Sequence, residues 1–184
     1  MSRTKVITSK VRFCYAHVFE PTSIEEGQEK KYSVSVIIPK SDTKLINKIK
    51  AAIQAALEEG KAKFGGKIPA NYKNPLRDGD LERPDDENYA NSYFFTANSS
   101  RKPGIVDADL NPILDKDEFY SGCYGRASVN FYAFNVSGNK GVAVGLNNLQ
   151  KLEDGERLSG GGSTAEEDFG SYSDDDDDDD DDLM

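Results

Sequence analysis

The sequence predicts a mainly β domain, a small antiparallel barrel or sandwich with one main α-helix and long loop insertions, followed by a disordered acidic C-terminal tail. Three observations carry that prediction. Segments rich in β-branched and aromatic residues recur with period-two alternation, one stretch alone shows a helical apolar stripe, and the charge is split sharply between body and tail. The chain has 184 residues and a formal net charge of −10. Of its 33 acids, twelve lie in 159–184 (Glu166, Glu167, Asp168 and Asp174 through Asp182), where there is no Lys or Arg. Removing them leaves 21 acids against 23 bases, so residues 1–158 carry about +2. The whole-chain charge therefore hides a mildly basic body. The boundary falls at Leu158, giving a domain over 1–158 and a tail over 159–184.

The first β segment runs over 5–19, with Val11, Phe13 and Tyr15 on one side and Lys10 and Arg12 on the other. A loop over 20–29 leads to a second, 31–39, where Tyr32, Val34, Val36 and Ile38 alternate with Lys31, Ser33, Ser35 and Ile37. Asp42 is placed to cap a helix over 43–64, whose stripe is Leu45, Ile46, Ile49, Ala52, Ile53, Ala56 and Leu57, and Gly65-Gly66 ends it. Residues 67–92 are polar and turn-rich, an insertion of a length that is usually functional or disordered. Strands resume at 93–98 and 104–107, a turn at 109–112 feeds Ile113-Leu114, and two long strands, 122–135 and 141–152, complete the set. Ser159-Gly160-Gly161-Gly162-Ser163 reads as a flexible linker, and the acidic run behind it lacks the apolar surface that folding requires.

The segment 122–135 carries the most chemistry. One face presents Cys123, Gly125, Ala127, Val129, Phe131 and Ala133, the composition of a core. The other presents Tyr124, Arg126, Ser128, Asn130, Tyr132 and Phe134. Rings interleaved with a cation suit a single-stranded nucleic acid, because bases stack on aromatics while cations take the phosphates. Packing of Tyr132 and Phe134 beneath the helix or a loop is the competing reading, and alternation alone leaves both open. Lys10 and Arg12 join that face if their strand lies beside it. A second basic surface comprises Tyr72, Lys73 and Arg77 in the long loop, with Arg101 and Lys102 after the 93–98 strand; ordinary solvated charge is the default reading of these, and they gain weight only from the company of the aromatic face.

Several chemistries are disfavoured. Asp107, Asp109, Asn111, Asp115 and Glu118 have the spacing of an EF-hand loop, but Pro112 stands where that loop needs glycine, so the segment is read as a hairpin turn. One histidine and two widely separated cysteines do not make a structural zinc site or a disulfide framework. No metal and no cofactor is expected. The P-loop, nucleophile-elbow and zincin motifs are absent, and His17 reads as structural; the chain is not expected to be an enzyme. A metal-dependent nuclease using Asp78, Asp80, Glu82, Asp85, Asp86 and Glu87 is one rival. An acidic-tailed interaction module, DNA-mimicking or chaperone-like and without DNA binding, is another. No stretch approaches the ~20 apolar residues of a membrane span, so no membrane partner and a cytoplasmic location are expected.

Four segments, in order, resemble a family of tailed-phage single-stranded DNA-binding proteins. They are Tyr32-Ser-Val-Ser-Val-Ile-Ile-Pro-Lys-Ser-Asp42, Asn74-Pro-Leu-Arg-Asp-Gly-Asp80, Gly122-Cys-Tyr-Gly-Arg-Ala-Ser-Val-Asn-Phe-Tyr132, and Lys140-Gly-Val-Ala-Val-Gly-Leu-Asn-Asn-Leu-Gln150 with Asp154-Gly-Glu-Arg157. The resemblance implies an OB-fold-like barrel, non-sequence-specific single-stranded DNA binding, and a role in phage DNA replication or recombination in the host cytoplasm. The run from Asp174 through Asp178 to Asp182, then Leu183-Met184, resembles the acidic, apolar-tipped tails with which such proteins dock phage or host replication proteins. It lacks the terminal Phe many of those tips carry. The oligomeric state stays open, a dimer included.

Overall fold

A computed structural model of the chain describes residues 3–23 and 29–158. Eight strands form a sheet that closes on itself. They are β1 (Lys5–Ile7), β2 (Val11–Thr22), β3 (Lys31–Pro39), β4 (Arg77–Asp78), β5 (Ser92–Ser99), β6 (Gly104–Val106), β7 (Tyr124–Val136) and β8 (Asn139–Glu153). The closed ring is β7-β2-β3-β5-β8, sealed by the long antiparallel β7–β8 pairing and one parallel β5–β8 bridge, Asn98↔Gly145. Taking the ring strands in chain order, the neighbours run 1-2-3-5-4-1, a five-stranded Greek-key barrel of the OB type. β1 extends it beside β7, β6 beside β8, and β4 beside β5.

The barrel is filled by the inward rows the alternation predicts. Val34, Val36 and Ile38 of β3, Phe95 and Ala97 of β5, and Ala127, Val129, Phe131 and Ala133 of β7 are all buried. Helix α1 (Thr43–Glu59) closes the core with its whole predicted stripe, from Leu45 to Leu57. Asp42 caps it as expected, its side chain accepting from the Leu45 amide at 3.2 Å. The helix is shorter than the periodicity predicts: Gly60 ends it, and a 3-10 turn (Lys61–Phe64) follows. Gly60 lies flush against Ala133 with no space for a Cβ, so the chain must turn where the helix meets β7. Gly65 and Gly66 then take positive φ and end the turn.

Three other expectations are revised. The segment 5–19 is two strands, broken where the buried Thr8 hydroxyl accepts from the Ala127 amide at 2.9 Å. Tyr15 does not share a side with Val11 and Phe13. A bulge between Cys14 and His17, with Tyr15 at φ 48°, turns its ring outward, since one extra residue inverts the alternation of everything beyond it. Ile113-Leu114 is not a strand: Ile113 is buried, Leu114 is exposed, and the pairing is a single Val106↔Pro112 bridge. The segment before it is a turn as predicted, with the Asp107 carboxylate accepting from the Asp109 and Asn111 amides at 2.9 and 3.0 Å.

Residues 67–92 fold onto the barrel. They include β4, a helical turn α2 (Gly79–Glu82) and a 3-10 turn (Glu87–Tyr89). Tyr89 is fully buried against Cys14, Ile37 and Phe94, forming a second apolar cluster on the outer face of β2, β3 and β5. That cover explains why Ile37, on the outward row of β3, is apolar. Both cysteines are free and buried, and burial pushes both thiols above their ordinary pKa. Among the described residues no helix is long and apolar enough to cross a membrane. The linker and the acidic tail lie outside the described residues.

Candidate nucleic-acid interface

β7 turns Tyr124, Arg126, Ser128, Asn130, Tyr132 and Phe134 away from the core, as the alternation predicts. Tyr132 is 40% exposed. Its Cε1 comes to 3.6 Å of where a Cβ on Gly145 of β8 would stand, so the ring lies close to a bare stretch of backbone. Exposed Lys5 and Ile7 of β1 flank β7 on one side, and exposed Asn147 and Asn148 of β8 on the other. The surface is a platform of rings, amides and cations with no carboxylate on β7.

β2 does lie beside β7, pairing Arg12 with Tyr124. The Arg12 guanidinium sits 5.3 Å from the Tyr124 ring centroid and the Lys10 ammonium 5.7 Å from it. Together with Val11, Ile37, Pro39, Asn88 and Ser92 these three residues line a cleft of about 350 Å3. Arg12 is held there by bonds to the Gly122 and Glu156 carbonyls at 3.2 and 2.9 Å. Lys10 pairs with Glu153 at 2.8 Å in an exposed ion pair, the kind that contributes little and that a phosphate displaces at small cost. Arg126 donates its Nε to the Thr8 carbonyl at 2.9 Å and its side chain is exposed.

The remaining predicted residues form two further groups. Lys73 brackets the end of β8, its amide donating to the Lys140 carbonyl and its carbonyl accepting from Val142, and it bridges Gly141, which pairs with Phe134. Lys73, Tyr132 and Phe134 thus share one end of the platform. Tyr72 is half-buried against the core. Arg101 and Lys102 follow β5 at the far end of β2 and β3, where Tyr32 pairs with Ser99 and the Lys102 ammonium lies 5.4 Å from the Phe19 ring. Arg77 is apart from both, on β4 and paired with Glu82 at 2.6 Å.

Sequence reasoning passed over the outer rows of β3 and β5, Ser33, Ser35, Thr96 and Asn98, although OB barrels bind oligonucleotides across their second and third strands. These four residues are uncharged and carry no ring, so composition alone does not mark them. Next to them lies the acidic cluster considered above for a metal. Three of its carboxylates have structural tasks: Lys40 bonds Asp78 and Asp80 at 3.0 and 2.8 Å, Asp80 accepts from the Asn91 amide, and Asp86 accepts from Asn88. The bond to Lys40 holds both carboxyl groups below the usual carboxylate range and raises Lys40 above its own. No group of three metal-ligating side chains converges among the described residues.

A closed OB-type barrel with a basic, aromatic outer face defines the class of the protein. The chain belongs to the family described as the ssDNA-binding protein of Enterobacter phage Enc34, which matches residues 4–183. Protein p50 of Acyrthosiphon pisum secondary endosymbiont phage 1 is 36% identical over 175 residues, covering 90% of this chain and 92% of that protein. The fold is similar to the bacteriophage Enc34 single-stranded DNA-binding protein in complex with ssDNA, with TM-score 0.77 and 22% identity over 84% of this chain and 89% of that one. It is also similar to gp2.5, a single-stranded DNA-binding protein encoded by bacteriophage T7, with TM-score 0.55 and 15% identity over 85% and 95% of the two chains.

Proposed function

We propose that the protein binds single-stranded DNA without sequence preference, as a binding protein and not an enzyme, in support of phage DNA replication or recombination. The observation that carries the reading is Tyr124, flanked by Arg12 and Lys10 at one end of an open aromatic face that continues through Arg126 to Tyr132 and Phe134. Stacking is indifferent to base identity because every base has a π-face, and the cations neutralise phosphates. Lys73 extends the track at one end; Arg101 and Lys102 reach it if the strand also crosses β3 and β5. Arg77 and Tyr72, being ion-paired and half-buried, contribute least.

The acidic segment from Asp174 to Asp182 has a second role in this reading. Nine consecutive carboxylates mimic a phosphate backbone, compete with DNA for the basic face, and with Leu183-Met184 dock replication proteins once DNA has displaced them. Its root favours this: Leu158 packs beside Tyr15 and donates its amide to the Ser121 carbonyl, while Glu156 contacts Arg12. Truncation after Leu158 is expected to tighten binding to an oligothymidylate and to steepen its salt dependence, with log K falling at about 0.7 per cation engaged. Unchanged affinity at low salt refutes the competition. A flat salt response, or equal affinity for duplex, refutes the DNA reading itself.

A further inference from the structure

Beyond β8 the chain turns back as a strap, 154–158, laid across the approach to β7. Two glycines make that possible. A Cβ on Gly155 would strike the Gly122 carbonyl oxygen, and one on Gly122 would strike the Glu156 carbonyl oxygen, so the two backbones touch with no side chain between them. Gly122 also takes φ 116°, a region that other residues avoid. The stretch Asp154-Gly-Glu-Arg157, one of those carrying the family resemblance, is this strap.

Tyr120 fastens it. The Tyr120 hydroxyl accepts from the Gly155 amide at 3.1 Å, and its proton has two acceptors at 3.0 Å, the Gly155 carbonyl and the Asp154 carboxylate. Lys151 pairs with that carboxylate at 2.6 Å, and the Arg157 guanidinium lies 4.3 Å from the Tyr120 ring centroid. The Leu158 amide, donating to the Ser121 carbonyl at 3.0 Å, closes the far end. Little of this serves the core. Of the strap's residues Leu158 alone packs on an apolar cluster.

What the strap presents is a carbonyl. Arg12 donates from Nη2 to the Glu156 carbonyl at 2.9 Å and from Nε to the Gly122 carbonyl at 3.2 Å, the same two oxygens that lie at the glycine contact. A longer bond runs from Nη1 to Asn88 at 3.5 Å. These leave one N–H free on each terminal nitrogen. Among the described residues no carboxylate forms an ion pair with Arg12, whereas Lys10 beside it is paired with Glu153. A guanidinium held by neutral carbonyls keeps its full charge and a fixed direction, which favours a phosphate at the free N–H groups.

We propose that Tyr120 and Gly155 are positioning residues for DNA binding: by seating the strap on Gly122 they fix the two carbonyls that aim the Arg12 guanidinium at a phosphate beside Tyr124. The proposal rests on the reading that Arg12 engages DNA. Neither positioning residue touches the nucleic acid in it.

The test is a double-mutant cycle in the full-length protein, read by fluorescence anisotropy with labelled oligothymidylate at several salt concentrations. Tyr120→Phe keeps the ring and removes only the hydroxyl. Its Kd is expected to rise about 2- to 10-fold, the cost of ordering one long side chain on binding, with the salt slope unchanged because the charge remains. Arg12→Ala should weaken binding and lower the slope by about 0.7, and in that background Tyr120→Phe should have no further effect. Gly155→Ala displaces the strap without altering the hydroxyl, and it should reproduce both the loss and its dependence on Arg12. If Tyr120→Phe does not fold, Gly155→Ala decides by the same criteria. In either variant the Arg12 Nε–H resonance should exchange faster with water while the barrel amides keep their protection. Loss of protection spread through the barrel marks a structural role and overturns the proposal. Equal losses with and without Arg12, or an unaltered Kd, overturn it too and leave Arg12 on the DNA track. An Arg12→Ala protein with unaltered Kd and slope removes Arg12 from the track, and the underlying reading falls with the proposal.

Discussion

Replacing Tyr132 with alanine isolates the stacking contribution from the electrostatic one. The ring is 40% exposed, lies close to the bare backbone of Gly145, and sits on the outward row of β7, so its removal opens no cavity in the barrel. Loss of one base stack costs about 1–3 kcal/mol, which is about a 5- to 150-fold rise in Kd. Phenylalanine keeps the π-face, so Tyr132→Phe is expected to bind as the unaltered protein does. The assay is fluorescence anisotropy with labelled oligothymidylate at several salt concentrations, with urea unfolding alongside. The salt slope should not change, because no cation has been removed. An unaltered Kd refutes stacking at this position. A fall in stability of more than ~2 kcal/mol together with the affinity loss shows instead that the ring is structural.

Other perturbations probe the scaffold that positions the face. Lys40→Ala should destabilise the protein at neutral pH. Lys40 depresses the carboxyls of Asp78 and Asp80, so that stabilisation is present above ~3.9, their unfolded value, and is lost as the pH falls through their lowered folded values. Urea titrations at pH 7 and pH 3 should therefore show the variant and its parent converging in acid; an equal gap at both pH values refutes the assignment. Tyr89→Phe removes a buried hydroxyl that has Cys14 and Ser35 beside it but, among the described residues, no partner in hydrogen-bond geometry, and should raise stability by about 1 kcal/mol in urea unfolding; a loss of similar size shows that the hydroxyl is bonded to one of those two. Gly60→Ala should cost about 1–3 kcal/mol by driving α1 off β7, and Ala133→Gly should recover most of it; additive effects in that cycle refute the contact.

Alternation and periodicity are local properties, and what depended on them was legible. The inward row of β7, the stripe of α1 and its Asp42 cap follow from neighbours a few residues apart, because pleat and helix repeat regardless of what packs on them. The two-sided chemistry of β7 was readable for the same reason, and Tyr132 is exposed as that reading required. Tyr15 shows where local reasoning stops. A bulge is one residue of mismatch between two strands, visible only once β3 is paired with β2, and it reverses the side on which Tyr15 lies. Ile37 is a second case: its apolar character on an outward row has no local explanation until Tyr89, 52 positions away in the sequence, is seated on it.

The sequence by itself determined that a basic body precedes an acidic segment, and that one long strand separates a core face from a face of rings and cations. Tertiary structure decided that Arg12 and Lys10 meet Tyr124, that Lys73 reaches the Phe134 end, and that Arg77 joins neither. Those outcomes depend on which strands become neighbours when the ring closes. Strand order is set by the burial of the whole core at once, and no window along the chain contains it.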